Sequence, residues 1–414
     1  MSLVPTAPAP HDEVLPARQV AEVLRLLYPE PCEVSSELAG DVVADYVLVP
    51  NTRRPRLLVP ANSARVASAA VRRYAEVRTR TGRFKRGAAA AALRTGASHM
   101  LMRDRIRIVA PPADDGQPVD TVDRYLRRSL GRPVSLAVHI GPARTRRTPV
   151  LHVLAQNGDT LGYAKLGSGE LTRRLVRTET VALTALSRVP LRGVTVPGVV
   201  HTGVWRGNTV LVQSGLPVDR PHVPLSRDRL TDAMREVSRC LGTTVAPVAA
   251  SEYWSGLRAR LAEVGDHPDG RTLGMAADLL VAARGDTRLT FGSWHGDWTP
   301  WNMIALDDTL LVWDWERFAS AVPLGFDALH HDLQVRLTTV DANEAVEVSL
   351  ARAAEALRPF GVPADAADLT ATLHLIELAA RYLADRQSPE AGQLGLLGTW
   401  LLPVLLRRVE VLCG

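Results

Sequence analysis

Cysteine is scarce in this 414-residue sequence. Cys32, Cys240 and Cys413 are odd in number, far apart and without CxxC or Cys/His spacing, which argues against a disulfide framework and against a zinc site and fits a reducing compartment. Lysine is scarcer still. Only Lys85 and Lys165 stand among 49 basic residues, so arginine is the default cation and each lysine invites a chemical reason, because the two side chains differ in bulk, hydration and hydrogen-bond geometry. Long apolar runs are missing too: no window approaches the roughly 18 apolar residues of a membrane helix, and the opening "MSLVPTAPAPHDEVLP" has no basic stretch followed by an apolar core. There are no internal repeats. The expectation is a soluble, cytoplasmic protein without integral membrane association.

What is present is enough apolar sequence for two or three domains, at 46% hydrophobic residues. Charge is unevenly distributed. Residues 51–110 hold fifteen Arg and Lys against two acids, Glu76 and Asp104, a local charge of +13 within a chain whose total is +5, so the remainder carries −8. Three readings of that segregation stay open: an anionic external partner such as acidic lipid, nucleic acid or a phosphorylated carrier, docking onto the chain's own acidic C-terminal part, or a solvated arginine-rich surface.

The pattern of apolar residues changes along the chain. "ARQVAEVLRLLY" (residues 17–28) has helical spacing, residues 45–60 read as two strands around a basic turn, two helical patterns follow near 63–77 and 86–101, and "RIRIVA" (105–110) reads as a strand. Together these predict a small basic α/β module over residues 1–120, closed by the linker-like "PPADDGQP" (111–118). From residue 121 to 216 a short helix leads into an antiparallel meander, "VSLAVHI", "PVLHVLA" and "LGYAKLG", then a helix over about 170–186 and two more strands. Residues 217–414 turn mostly helical, interrupted by "RLTFGSW" and the hairpin "NMIALDDTLLVWDW". The expected class is α+β, a strand-rich lobe and a helix-rich lobe after the small module.

Five of the eight tryptophans crowd into "GSWHGDWTPWN" and "VWDWE", among polar side chains that a packing element would not need. Asp297 and Asn302 lie five apart on a loop that Pro300 keeps from being helical. Twelve residues on, a hairpin turning at Asp307 and Asp308 brings Asp314 back beside that loop. Two carboxylates and a carboxamide converging in this way suit Mg²⁺, which prefers hard oxygen donors and leaves positions for phosphate and water. Phosphoryl transfer needs such a set: a carboxylate to orient or deprotonate a hydroxyl, and a metal to neutralise phosphate charge.

"HGDWTPWN" followed by "LLVWDWE" resembles the catalytic loop and metal-binding segment of the aminoglycoside phosphotransferase and choline kinase-like family, small-molecule kinases of the protein-kinase fold. The resemblance covers roughly residue 134 to the C-terminus. It implies that Asp297 is the catalytic base, that Asn302 and Asp314 hold Mg²⁺, and that His295 is structural. It also implies that Lys165 on the third strand of the meander meets the phosphates of ATP with Glu179 on the next helix holding it, and that the segment at Gln213 and Ser214 meets adenine. The tryptophans would wall and brace the site. Asp327 is expected to stabilise backbone nearby, and Glu377 and Arg381 to form a helix ion pair. The turn "GPARTRRTP" (141–149), with Arg144, Arg146 and Arg147, departs from the glycine-rich loop of kinases. The resemblance implies an ATP- and Mg²⁺-dependent phosphotransferase acting on a small-molecule hydroxyl; the alternative is a pseudokinase-like nucleotide-binding or scaffolding protein that works through its basic module.

Overall fold

The computed structural model describes residues 11–35, 41–53, 55–76, 104–111, 118–140, 149–387 and 397–413. The helical pattern at 86–101, most of the linker and the turn carrying Arg144, Arg146 and Arg147 lie outside them. In chain order the elements begin with α1 (His11–Leu27), β1 (Glu33–Ser35), β2 (Asp41–Val49), β3 (Leu57–Pro60), α2 (Ala64–Glu76), β4 (Arg105–Ala110) and α3 (Val122–Leu130). Next come β5 (Ser135–His139), β6 (Val150–Leu154), β7 (Thr160–Gly167), α4 (Glu170–Leu186), β8 (Val194–Thr195), β9 (Val199–Trp205) and β10 (Asn208–Gln213). The rest is α5 (Arg227–Arg239), β11 (Thr244–Pro247), α6 (Glu252–Glu263), α7 (Pro268–Arg284), β12 (Arg288–Trp294), β13 (Met303–Ala305), β14 (Leu310–Val312), β15 (Ala319–Pro323), α8 (Phe326–Arg336), α9 (Ala342–Ala351), α10 (Ala353–Leu357), α11 (Ala364–Gln387) and α12 (Leu397–Cys413).

The chain divides into two compact units, one of residues 1–168 with 199–215, the other of 169–198 with 216–414. The first is built on a nine-stranded antiparallel sheet in the order β1-β4-β2-β3-β5-β6-β7-β10-β9. Period-two alternation sends successive side chains to opposite faces, and both faces are covered. On one, Leu24 and Leu27 of α1 and Leu126 of α3 pack against Leu48, Leu136, Leu151, Leu166 and Val212; on the other, Val66, Ala70 and Val71 of α2 pack against Val47, Leu57, Val59, Ala137 and Leu154. Each Val or Leu among them is worth about 1.5–3 kcal/mol when fully buried. The three strands expected for an N-terminal module, β2, β3 and β4, and the five expected for the next lobe share this sheet, and β1, which was not anticipated, pairs with β4 at its edge. The two sets join where Leu57 faces His139 and Leu58 faces Val138.

The second unit is mainly helical, with two small sheets, β11-β12-β15 and β13-β14-β8. Its core centres on α11, whose Leu369, Leu373, Ile376 and Leu383 are buried among residues of α6, α7, α8 and α12. The predicted hairpin forms as β13 and β14, with Met303 opposite Val312. Strands β11 and β15 were not anticipated: "TVAP" and "ASAVP" are too short, and too marked by proline, for alternation to register. Helix α4 belongs to this unit and not with the strands that flank it in sequence. Among the described residues no helix is long and apolar enough to cross a membrane.

Candidate active site

Strand β12 is apolar and ends on the buried Trp294, which meets Phe326 edge to face with ring centroids 5.5 Å apart. The chain then turns sharply through Gly296 at φ +81°, where a β-carbon would collide with the backbone carbonyl of Arg317, so only glycine serves. Asp327, near the start of α8, holds the turn: its two carboxylate oxygens accept from the backbone N–H of His295 at 2.8 Å and of Gly296 at 3.0 Å. Burial pushes this carboxyl up to about 7, against those two hydrogen bonds. Its task is to brace backbone, as its position in the sequence led us to expect.

His295 is fully buried, accepts from the N–H of Asp297 on Nδ1 (3.1 Å) and meets the Trp313 carbonyl with Nε2 (3.1 Å). One nitrogen must accept and the other donate, which defines a neutral imidazole with its proton on Nε2. Burial agrees, pushing the ring down to about 4. His295 therefore ties the loop to the segment that carries Asp314. Trp298 and Trp315 pack edge-on to its ring, at 5.7 and 4.5 Å.

Asp297 and Asn302 are in direct contact. The Asn302 amide donates to both the backbone carbonyl and Oδ2 of Asp297, each at 3.0 Å, while His330 Nε2 lies 3.3 Å from Oδ1. Burial works against ionisation of Asp297, but the hydrogen bond from His330, then the Arg381 guanidinium, outweigh it and hold the carboxyl below the usual carboxylate range. His330 is fully buried and pushed down by that burial, so it serves as a neutral donor. The side chain of Asp297 keeps 33% of its surface exposed, leaving the carboxylate ionised and reachable.

The hairpin returns Asp314 as intended, with the Trp313 N–H donating to the Asn302 carbonyl at 3.1 Å. Asp314 adopts the left-handed conformation, φ +72° and ψ +53°, a backbone state that costs on the order of 1 kcal/mol outside glycine and that Asp tolerates better than most. Its carboxylate gathers with those of Glu179 and Glu316, one oxygen of each lying within 4.8 Å of the others. Three carboxylates at that spacing make a hard-oxygen donor set, which fits a divalent cation of the Mg²⁺ class. Glu179 was expected as a partner of Lys165 and Glu316 was not expected at all, although it stands two residues beyond Asp314 in "DWE".

Lys165 is buried in β7 at 6% exposure, opposite Val150 and Leu211. Gln213 ends β10 opposite Tyr163, and Ser214 follows it. These three belong to the first unit; Asp297, Asn302, Asp314 and Glu179 belong to the second. Of the five tryptophans expected to brace the site, Trp294, Trp298 and Trp315 are buried and Trp313 partly so, but Trp301 is 54% exposed. The expected ion pair between Glu377 and Arg381 is replaced by two longer-range contacts: Glu377 accepts from Arg260 at 2.6 Å, and Arg381 donates to the Gly296 carbonyl. No metal role was expected for His330, which lies three residues after Asp327 and so shares its helix face. Beside the carboxylate cluster is a cavity of about 360 Å³, lined among others by Tyr253, Trp294, Glu316, Phe318, Glu377 and Arg381.

No protein-family model and no curated protein matches the chain. Solved structures similar to it, over 66–71% of its length, are small-molecule kinases of the aminoglycoside phosphotransferase and choline kinase type. A thermostable mutant of the aminoglycoside phosphotransferase APH(4)-Ia is 10% identical, with 70% of this chain and 98% of that chain covered and a TM-score of 0.44. Choline kinase LicA from Streptococcus pneumoniae is 14% identical over 70% of this chain and 98% of that one, at 0.41. Amicoumacin kinase hAmiN in complex with AMP-PNP, Ca²⁺ and Ami is 12% identical over 67% of this chain and 87% of that one, at 0.41.

Proposed function

We propose that the protein is an ATP- and Mg²⁺-dependent phosphotransferase that acts on a hydroxyl group of a small molecule. The observation that carries this reading is the joining of an ionised, partly exposed Asp297 to Asn302 on a loop whose neighbouring segment gathers Asp314, Glu179 and Glu316. Asp297 accepts the proton of the acceptor hydroxyl, while His330 and Asn302 each hold one of its oxygens and fix the direction of the remaining lone pairs. Its low affinity for a proton in the resting state suits a base that mainly orients the hydroxyl and takes the proton late. Asp314, Glu316 and Asn302 would hold Mg²⁺, which when bound neutralises charge on the phosphates. Lys165 would meet those phosphates, Glu179 would orient Lys165 or share the cation, and the segment at Gln213 and Ser214 would meet the base. The cavity beside Glu316 is of the size that small ligands occupy, about 300–1,000 Å³, and takes the acceptor.

The test is transfer from labelled ATP by the purified full chain to a panel of sugars, amino alcohols and aminoglycosides, with and without Mg²⁺. Transfer is expected only with the metal. Asp297→Asn should lower kcat by roughly 10²–10⁴-fold, the range of general-base catalysis, while ADP binding persists. Full turnover by a folded Asp297→Asn protein would remove the catalytic assignment.

A further inference from the structure

Helix α11 lies in the apolar core of the second unit, yet three charged side chains stand on it four residues apart: Glu377, Arg381 and Asp385. Spacing of four puts them on one face. Glu377 and Asp385 are buried, Asp385 completely, and Arg381 is partly so. A charge removed from water costs several kcal/mol unless paired, so each needs a partner, and the partners follow a plan. Glu377 takes Arg260 of α6. Arg381 Nη1 donates to the backbone carbonyl of Gly296, the residue before Asp297. Both oxygens of Asp385 accept from Arg317 Nη2, at 2.8 and 2.6 Å, and Arg317 closes the 3₁₀ turn Trp315–Arg317 that follows Asp314 and contains Glu316.

One turn of α11 thus grips both segments of the site. Arg381 holds the loop of Asp297, and Asp385 holds the turn of Glu316. The two segments also abut, since Gly296 has no room for a β-carbon against the carbonyl and Cβ of Arg317. Stability alone is a poor reason for this arrangement, because replacing buried ion pairs with apolar side chains of similar volume is often neutral or stabilising. Apolar residues would fill the space, but they would not fix the distance between two loops to within the tolerance that reaction geometry requires, a displacement of about 1 Å being worth on the order of a hundredfold in rate.

We propose that Arg381 and Asp385 are positioning residues that keep Asp297 in register with the carboxylates of Asp314 and Glu316; the proposal rests on the phosphotransferase reading above. Neither touches the reacting atoms: Arg381 acts through the Gly296 backbone and through its charge beside Asp297, and Asp385 acts through Arg317.

The experiment compares the full chain with Arg381→Met, Asp385→Asn and the control Asp368→Asn, which removes an ion pair from the same helix, to Arg408 of α12, away from both segments. Arg381→Lys, which keeps one donor for the Gly296 carbonyl, and Asp385→Glu stand in where the harsher change does not fold. Melting temperature, kcat and KM for ATP turnover, and half-saturation by Mn²⁺ in the presence of ADP are measured for each. Arg381→Met should lower kcat on the order of tenfold to a hundredfold with KM for ATP nearly unchanged. Arg381→Lys should recover part of the loss. Asp385→Asn should raise the Mn²⁺ half-saturation by about tenfold, while Asp368→Asn changes only the melting temperature. An active wild type whose Arg381 and Asp385 variants behave like Asp368→Asn overturns this proposal alone. A folded wild type with neither turnover nor Mn²⁺ binding overturns the phosphotransferase reading, and this proposal with it.

Discussion

Lys165 keeps 6% of its surface exposed in a chain that uses arginine for 47 of its 49 cations, and under the proposed function its ammonium meets the phosphates. At a buried strand position the compact ammonium on a flexible stem can meet two or three oxygens at once, whereas a guanidinium needs a planar slot and more room. Lys165→Arg is therefore expected to raise KM for ATP or lower kcat by about tenfold or more despite keeping the charge, and it also overfills the strand face shared with Val150 and Leu211. Kinetics for ATP equal to those of the wild type would assign Lys165 a packing role instead. The residues that could be picked from the sequence were those whose chemistry is written in local spacing: Asp297, Asn302 and Asp314 stand at fixed intervals around a proline and a hairpin. The contacts that Arg381, Asp385 and His330 make were not legible for the opposite reason, because their partners are 33 to 85 residues away. Glu377 and Arg381 even sent a misleading signal. Four apart on a helix they match a surface pair, but on a buried helix the long-range partners prevail.

The elements of the site, the loop after β12 and the head of α8, form one hydrogen-bonded piece because Asp327 accepts two N–H groups of the loop while His295 accepts a third. A second proton on His295 would have to displace the Asp297 N–H from Nδ1, so the folded ring stays neutral down to about pH 4 while an unfolded one binds a proton near 6.5. The sign follows: the unfolded state holds more protons in that interval, so the stability His295 contributes is complete above pH 6.5 and is lost as pH falls toward 4. Over the whole window the loss is about 3 kcal/mol. Denaturant unfolding at several pH values between 7.5 and 4 should show a steeper acid loss in the wild type than in His295→Gln, whose amide does not titrate. Identical slopes for the two proteins would mean that the ring is not held in its neutral form. At this scale the reading of the sequence was good wherever period or turn chemistry was strong, as in the β5–β7 meander, the β13–β14 hairpin and α4. It failed at β11 and β15, whose existence depends on β12 being available between them and not on any pattern of their own.

For the molecule as a whole, the informative feature is that β1–β4 extend the same sheet as β5–β7, β9 and β10. Composition drew a boundary near residue 120, since basic charge and a proline-rich linker are local properties, whereas strand order is set by which edges pair, and that left no trace in sequence. The consequence is physical. Cutting at residue 120 would strip β5 of the partner it has through Leu57 and Leu58, and would uncover Leu136, Leu151 and Leu166 on one face and Ala137 and Leu154 on the other, where α1 and α2 now pack. An unpaired edge above two exposed apolar faces is a template for aggregation. We therefore expect fragment 121–414 expressed alone to aggregate or to melt well below the full chain. Co-expression with fragment 1–120 should restore a soluble pair whose association barely changes over a salt series, because apolar burial is not screened. Docking of a basic surface on an acidic one would instead weaken steeply with salt, screening being strong beyond roughly 10 Å at 0.1 M ionic strength. A soluble fragment 121–414 with the melting temperature of the full chain would show that the first 120 residues are dispensable to the sheet, and a salt-sensitive pair would return the basic segment to the role that its charge alone suggested. Anionic vesicles and oligonucleotides titrated against the intact chain complete the comparison, since binding there would assign the fifteen cations of residues 51–110 to an external partner while leaving β2, β3 and β4 in the sheet.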